Sequence, residues 1–208
     1  MLITSDKVIK ATNIYAGCVA EFENVLPEPY KIIQQIEKEL ITDGSPLFVY
    51  WERATVSPNG VASNVRTNTL FPVDKLSTID KTCNELNNVF YETAYAAVTW
   101  YKEHFGIYDD IYESESEPLS LLRYQFGEKY GAHYDGATRS KRSVSPIMYL
   151  NDDYEGGELE FIHHNVKIKP KAGSLFLFPS NYAYTHIAHP VTKGTKYAMV
   201  TFFHDRED

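Results

Sequence analysis

The chain has 208 residues, 43% hydrophobic and 23% charged, with 11 glycines and 10 prolines. These values suit one globular domain, with or without an N-terminal extension, and exclude collagen-like, low-complexity and wholly disordered chains. Lys and Arg number 20 against 28 Asp and Glu, a formal net charge of −8; Arg139, Lys141 and Arg142 are too few to form a phosphate-backbone footprint, so no nucleic-acid partner is expected.

Residues 13–26 read as a short strand leading to a turn. Pro27 and Pro29 then open a helix over 30–41, where Ile32, Ile33, Ile36, Leu40 and Ile41 fall at helical spacing. Asp43 and Gly44 stop it. The stretch 44–70 has the Gly, Pro, Ser and Asn content of strands joined by long loops, with Phe48, Tyr50 and Trp51 set among them. A long helix is predicted over 79–105, capped near Ser77 or Thr78 and ended by Gly106. An acidic loop follows at 109–118. From Leu119 onward short apolar runs recur (LLRYQF, SVSPIMYL, GELEF, VKIKP, SLFLF, YAYTHIAHP, YAMVTFF), punctuated by Gly, Pro, Asn or Asp. That texture predicts an antiparallel sandwich or barrel, and the whole an α+β fold. Two distant cysteines, Cys18 and Cys83, exclude a disulfide framework and a Cys-based zinc site, and are read as reduced thiols. The N-terminus lacks an apolar stretch of signal-peptide length, and nowhere do 18 apolar residues run together. A cytoplasmic protein with no membrane partner is expected.

Seven histidines carry the chemical interest. In a strand, residues i and i+2 share a face, so His133 and Asp135 can present an imidazole and a carboxylate to one ion. A second histidine would complete a 2-His-1-carboxylate triad, a donor set that suits non-haem Fe(II) with open positions. The downstream candidates are His163, His164, His186, His189 and His204. His163 and His164 read as an exposed turn. His186 is placed in a strand sharing a face with Tyr182, Tyr184 and Ala188, with His189 on the opposite face. The segment HPVTKGTK reads as a hairpin with Gly194 at its turn, which would bring Lys196 nearly opposite His186. A buried cation there calls for an anionic partner, and a small acidic ligand beside the metal would supply one.

The stretches LLRYQFGEKYGAHYDG, SVSPIMYLNDDYEGGELEF, VKIKPKAGSLFLFPS and THIAHPVTKGTKYAMVTFF together resemble the Fe(II)/2-oxoglutarate-dependent oxygenases of the prolyl 4-hydroxylase type over residues 119–203. A looser likeness extends upstream, through the first helix and the segment around Arg66. The resemblance implies a double-stranded β-helix, or jelly roll, with supporting N-terminal helices. It implies one domain over 1–208, in which 1–118 are support and lid loop and 119–204 the catalytic core. It assigns Fe(II) to His133, Asp135 and His186, and the 2-oxoglutarate pocket to Lys196, Tyr149 and Tyr124. Arg142 falls near the substrate entrance, and the 44–65 loop with Tyr50 and Trp51 is read as a cover over an extended substrate. The implied reaction hydroxylates proline in a peptide or protein while 2-oxoglutarate is decarboxylated to succinate, with ascorbate as an accessory reductant. Without a secretory signal, a microbial or viral cytoplasmic setting is expected. Two alternatives stay open: the same chemistry on a free amino acid or other small molecule, and a non-catalytic metal-binding jelly roll.

Overall fold

The computed structural model describes residues 9–56, 64–107, 112–136 and 141–205. The chain begins with a hairpin, β1 (Asn13–Tyr15) and β2 (Val19–Phe22), and continues into α1 (Pro29–Ile36). The predicted helix does reach Ile41, but Glu37–Ile41 is wound as a wider π turn. A 3-10 turn at Phe48–Tyr50 precedes β3 (Glu52–Arg53), β4 (Thr69–Pro72), α2 (Val73–Leu76) and α3 (Lys81–Phe105).

The cap of α3 is Asp80, not Ser77 or Thr78. Its carboxylate accepts from the Cys83 amide at 2.8 Å, satisfying a free donor of the first turn. Ser77 is spent on closing α2, where its hydroxyl donates to the Asp74 carbonyl. Gly106 ends α3 with φ 69°, the left-handed conformation a glycine adopts without strain. The acidic segment read as a loop contains a strand, β5 (Tyr112–Ser116), because β16 (Phe203–His204) pairs with it and satisfies its backbone.

The remaining strands are β6 (Ser120–Tyr124), β7 (Tyr130–His133), β8 (Arg142–Tyr149), β9 (Glu155–Gly156), β10 (Leu159–Phe161), β11 (Val166–Ile168), β12 (Ser174–Pro179), β13 (His186–Ala188), β14 (Val191–Lys193) and β15 (Lys196–Val200). They divide between two antiparallel sheets and a separate pair. The larger runs β1-β2-β12-β8-β15-β6-β4-β3, with β16 against β8; the smaller runs β11-β10-β13-β7; β14 and β9 form a separate pair. Successive core strands crossing from one sheet to the other make a jelly roll, as expected.

Side-chain parity on the large sheet divides the core in two. Leu175, Leu177, Met148, Tyr197 and Met199 point outward against the helices, where they meet Phe71, Phe90, Val98 and Tyr101. Phe176, Phe178, Tyr149 and Ala198 point inward and meet Leu159 and Phe161 of the small sheet. All five residues of β15 are buried, so this strand reads as nearly continuous apolar sequence, interrupted by Lys196 on the inward side.

Two local expectations fail. Tyr182 and Tyr184 do not alternate along a strand with His186. Tyr182–Tyr184 is a 3-10 turn, with Asn181 accepting from the Ala183 amide, and β13 begins only at His186. Nor do residues 189–196 form a hairpin between neighbouring strands. β14 pairs with β9, while β13 and β15 belong to opposite sheets. Gly194, at φ 77°, turns the chain from one pairing to the next. Both cysteines are free thiols, and no helix among the described residues is long and apolar enough to cross a membrane.

Candidate metal centre and adjoining pocket

β7 and β13 lie antiparallel, with His133 directly opposite His186 in register. Asp135 follows two residues after the end of β7. The three donor atoms lie within 4.8 Å of one another, the one such group among the described residues. His133 Nε2 is 3.5 Å from Asp135 Oδ1, and His186 Nε2 is 3.9 Å from Asp135 Oδ2. Each imidazole turns its Nδ1 to a backbone carbonyl, Gly131 at 2.8 Å and Tyr184 at 3.1 Å. A carbonyl only accepts, so the proton sits on Nδ1 and each Nε2 lone pair faces inward. Asp135 Oδ2 is buried with no hydrogen-bond partner among the described residues.

Burial and neighbours keep His186 and Asp135 in metal-ready protonation states. Burial pushes the His186 imidazole down to about 4, with the Asp135 charge opposing, so the ring is neutral at pH 7. Burial pushes the Asp135 carboxyl up, but His186, His133 and the Ser145 hydroxyl outweigh it and hold the group well below the usual carboxylate range. Tyr130 stacks on His133, ring centres 3.4 Å apart, and Phe178 edges His186 at 4.9 Å. Two imidazoles that each turn Nδ1 to a carbonyl, with an ionised carboxylate that keeps one buried oxygen orphaned among the described residues, fit a divalent ion such as Fe(II).

The triad opens into a pocket of about 480 Å³ of empty space, counting solvent at its mouth, lined also by Tyr124, Tyr149, Leu159 and Lys196. Lys196 enters from the facing sheet and is 2% exposed. Its Nζ donates to the Gly157 carbonyl at 2.7 Å and lies 5.0 Å from the Tyr149 ring and 5.3 Å from the Tyr124 ring. Among the described residues no carboxylate comes within ion-pair distance of it. Burial pulls its pKa down to about 7, and the charge of Lys169 adds to the effect. Burial raises Tyr124 to about 12 and Tyr149 well above its ordinary value, so both hydroxyls remain neutral donors. Lys196 and His186 thus share a pocket, through sheet facing rather than the cross-strand pairing predicted; Lys196 is opposite Tyr124 in register.

Gly157 sets the course of the Lys196 side chain. Its φ is +66°, and a Cβ there would lie 2.8 Å from the Tyr154 ring and 3.3 Å from Lys196 Cδ. Gly157→Ala should therefore lower the stability of the protein by at least about 1–2 kcal/mol from the left-handed backbone alone. It should also raise the concentration of 2-oxoglutarate needed for binding. An unchanged urea midpoint with unchanged binding would show that the turn relaxes freely.

The other histidines are engaged elsewhere. His189 Nε2 meets Glu160 Oε2 at 2.5 Å, His164 faces the Ala183 carbonyl and stacks on Tyr184, and His204 lies 3.7 Å from Glu117. Lys193 is exposed and paired with Glu155. Tyr50, Trp51 and Arg142 do not line the pocket. Trp51 donates to the Leu40 carbonyl at 2.8 Å and packs between Phe71 and the Arg123 guanidinium; Tyr50, 43% exposed, edges Phe71. Residues 57–63 of the expected cover lie outside the described residues. Arg142 is bound to Glu117 and to the Asp135 backbone.

Two pocket residues escaped the reading of the sequence. Arg66 lies with its guanidinium 4.6 Å above the Tyr130 ring, held by Asn68 Oδ1 and the Thr55 carbonyl. Tyr130 in turn covers His133. The signal for Arg66 was only the looser upstream likeness; Tyr130 had none beyond standing three residues before His133.

Residues 119–204 match the model of the 2OG-Fe(II) oxygenase superfamily. A probable prolyl 4-hydroxylase 9 of Arabidopsis thaliana is 32% identical over 47% of this chain and 44% of its own length. The PKHD-type hydroxylase YbiX of Escherichia coli is 41% identical over 40% of each chain. This chain therefore spans less than half the length of these curated relatives. Among solved structures, a Trichoplax adhaerens prolyl hydroxylase in complex with a hypoxia inducible factor peptide superposes with TM-score 0.65 at 18% identity, over 91% of this chain and 84% of that one. A Pseudomonas putida prolyl-4-hydroxylase gives 0.65 at 16% identity, over 91% and 94%. Over residues 119–204 the chain therefore carries the sequence pattern of the 2OG-Fe(II) oxygenase superfamily.

Proposed function

We propose that the protein is an Fe(II)- and 2-oxoglutarate-dependent dioxygenase that hydroxylates proline within a peptide or protein. The observation that carries the reading is one pocket holding both the triad and a buried lysine that no carboxylate among the described residues neutralises. His133, Asp135 and His186 would hold Fe(II), which supplies the activation of dioxygen. Lys196 takes the distal carboxylate of 2-oxoglutarate, and Tyr149, with Tyr124 beside it, offers that group a neutral hydroxyl. The apolar wall formed by Leu159, Ile147 and Ala198 keeps water from the reacting atoms. Overall, 2-oxoglutarate and dioxygen yield succinate and carbon dioxide, one oxygen atom entering succinate and the other the substrate as a hydroxyl. Ascorbate would serve only as an external reductant. In this reading residues 119–204 are the catalytic core and the preceding segment its support.

A peptidyl proline substrate is supported by the names of the prolyl hydroxylase relatives and by the peptide in the Trichoplax complex. The PKHD-type relatives leave the substrate open, and the same chemistry on a small molecule is the second reading. The test is incubation with Fe(II), 2-oxoglutarate and a panel of proline-containing peptides, free proline alongside, read by mass spectrometry. A gain of one oxygen atom on a peptide is expected. Conversion of free proline with no peptide product would favour the second reading.

A further inference from the structure

We propose that Arg142 is a positioning residue for Asp135, locked in place by Glu117, and that this pair sets how tightly the centre holds its metal. The inference rests on the triad being a metal site, as proposed above. His133 and His186 stand on strands paired with each other. Asp135 lies beyond the end of β7, where no strand pairing holds its backbone. Its carbonyl instead accepts from Arg142 Nη1 at 2.9 Å, and the next amide, of Gly136, donates to the Ser180 carbonyl at 2.6 Å. A rotation of this short stretch would swing the carboxylate away from the imidazoles, so the contact to Arg142 bears on the geometry of all three donors.

Arg142 is itself fixed on two sides. Its Nε and Nη2 donate in parallel to the two carboxylate oxygens of Glu117, each at 2.5 Å. Its guanidinium lies 3.6 Å from the centre of the Phe202 ring. Such a fork matches a planar carboxylate in one orientation only, which a lysine ammonium cannot reproduce. Glu117 is anchored through its backbone. Its amide donates to the Phe202 carbonyl at 3.0 Å, and its carbonyl accepts from the Tyr91 hydroxyl of α3 at 3.1 Å and from the Thr201 hydroxyl. A continuous chain of contacts therefore runs from α3 through Glu117 and Arg142 to Asp135. Neither Glu117 nor Arg142 lines the pocket, so the pair acts through the ligand and not on the cosubstrate.

The test is anaerobic titration of the metal-free protein with Co(II), followed by visible absorption and calorimetry, for Arg142→Lys, Arg142→Ala and Glu117→Gln. Loss of a partner that orients a metal ligand characteristically weakens metal binding 10- to 100-fold. That range is expected for Arg142→Ala, with Arg142→Lys and Glu117→Gln weaker than wild type by a smaller factor. The ligand-field bands should change shape, because the carboxylate no longer sits in one place. The Co(II)-saturated variants should bind 2-oxoglutarate as the wild type does, an outcome general loosening of the fold would not give. Should Arg142→Ala fail to fold, the other two variants decide. Wild-type Co(II) affinity and spectrum in the variants would overturn the inference, as would a parallel loss of 2-oxoglutarate binding by the saturated variants. Asp135→Ala and His186→Ala separate the two levels: if these also bind Co(II) normally, the metal site itself is wrong, whereas their loss beside normal Arg142 variants removes only the positioning role.

Discussion

His133→Ala, Asp135→Ala and His186→Ala should each abolish turnover of 2-oxoglutarate, while His163→Ala and His189→Ala leave it largely intact. Each of the first three removes one of the three donors that converge among the described residues, and the two that remain cannot fix an ion in one geometry. His189 is instead tied to Glu160 on the outside of the small sheet, and His163 is exposed in a 3-10 turn. The loss should also appear without any assay of activity, as failure to bind Fe(II) or Co(II). An active His186→Ala beside an inactive His189→Ala would reverse the ligand assignment.

Lys196→Ala should raise the 2-oxoglutarate requirement roughly 10- to 150-fold, the consequence of losing a charge-assisted contact worth about 1.5–3 kcal/mol. Metal binding should change far less, since the lysine enters from the opposite sheet. Protons give an independent readout. In the ligand-free protein the Lys196 pKa is held down to about 7 by burial, with Lys169 adding and Glu158 opposing, while Tyr124, Tyr149 and Tyr154 around it stay neutral. A carboxylate brought against it raises that pKa, so 2-oxoglutarate binding at pH 8 should take up a proton, seen as calorimetric heats that depend on the buffer. The sign for stability follows. Between about pH 7 and the ordinary lysine value of 10.5, the unfolded chain holds the proton that the folded one has released. Stability of the ligand-free protein therefore rises with pH across that window, and the gain is absent below it. Lys196→Met should raise the urea midpoint at pH 6 while losing cosubstrate affinity. Unchanged 2-oxoglutarate affinity in both variants would show that the lysine serves another purpose.

How much of this was legible in the sequence depended on range. The strands from Leu119 onward and the Gly106 stop follow local patterns of residue type and spacing, whereas the convergence of His133, Asp135 and His186 was implied by the family resemblance. The route to that convergence differed from the one anticipated: Asp135 is not on a strand, and His186 reaches the site without a tyrosine alternation before it. Lys196 faces the triad because the chain crosses between sheets, which no local pattern distinguishes from a hairpin. The pairing of Arg142 with Glu117 was hidden for the same reason. The two residues are 25 positions apart, and β16, from the far end of the chain, lies between β8 and β5. Trp51 was placed at a cover because aromatic residues in a loop resemble a binding surface, whereas its indole N–H closes the Leu40 turn.

The crossing of the chain between sheets has a further consequence. The histidines are rooted in one layer and the lysine in the other, so the gap between layers works as a length gauge for whatever bridges them. Face-to-face sheets stack about 10 Å apart, whatever single residue is changed between them. A five-carbon diacid anchored at one end by a metal on the triad and at the other by Lys196 would be measured by the stacking itself. The same gauge would leave a shorter diacid hanging from one wall and force a longer one to buckle. Selectivity for chain length would then be a property of the architecture, shared by any sequence that keeps the two layers packed, while residues at the mouth are free to diverge with the substrate.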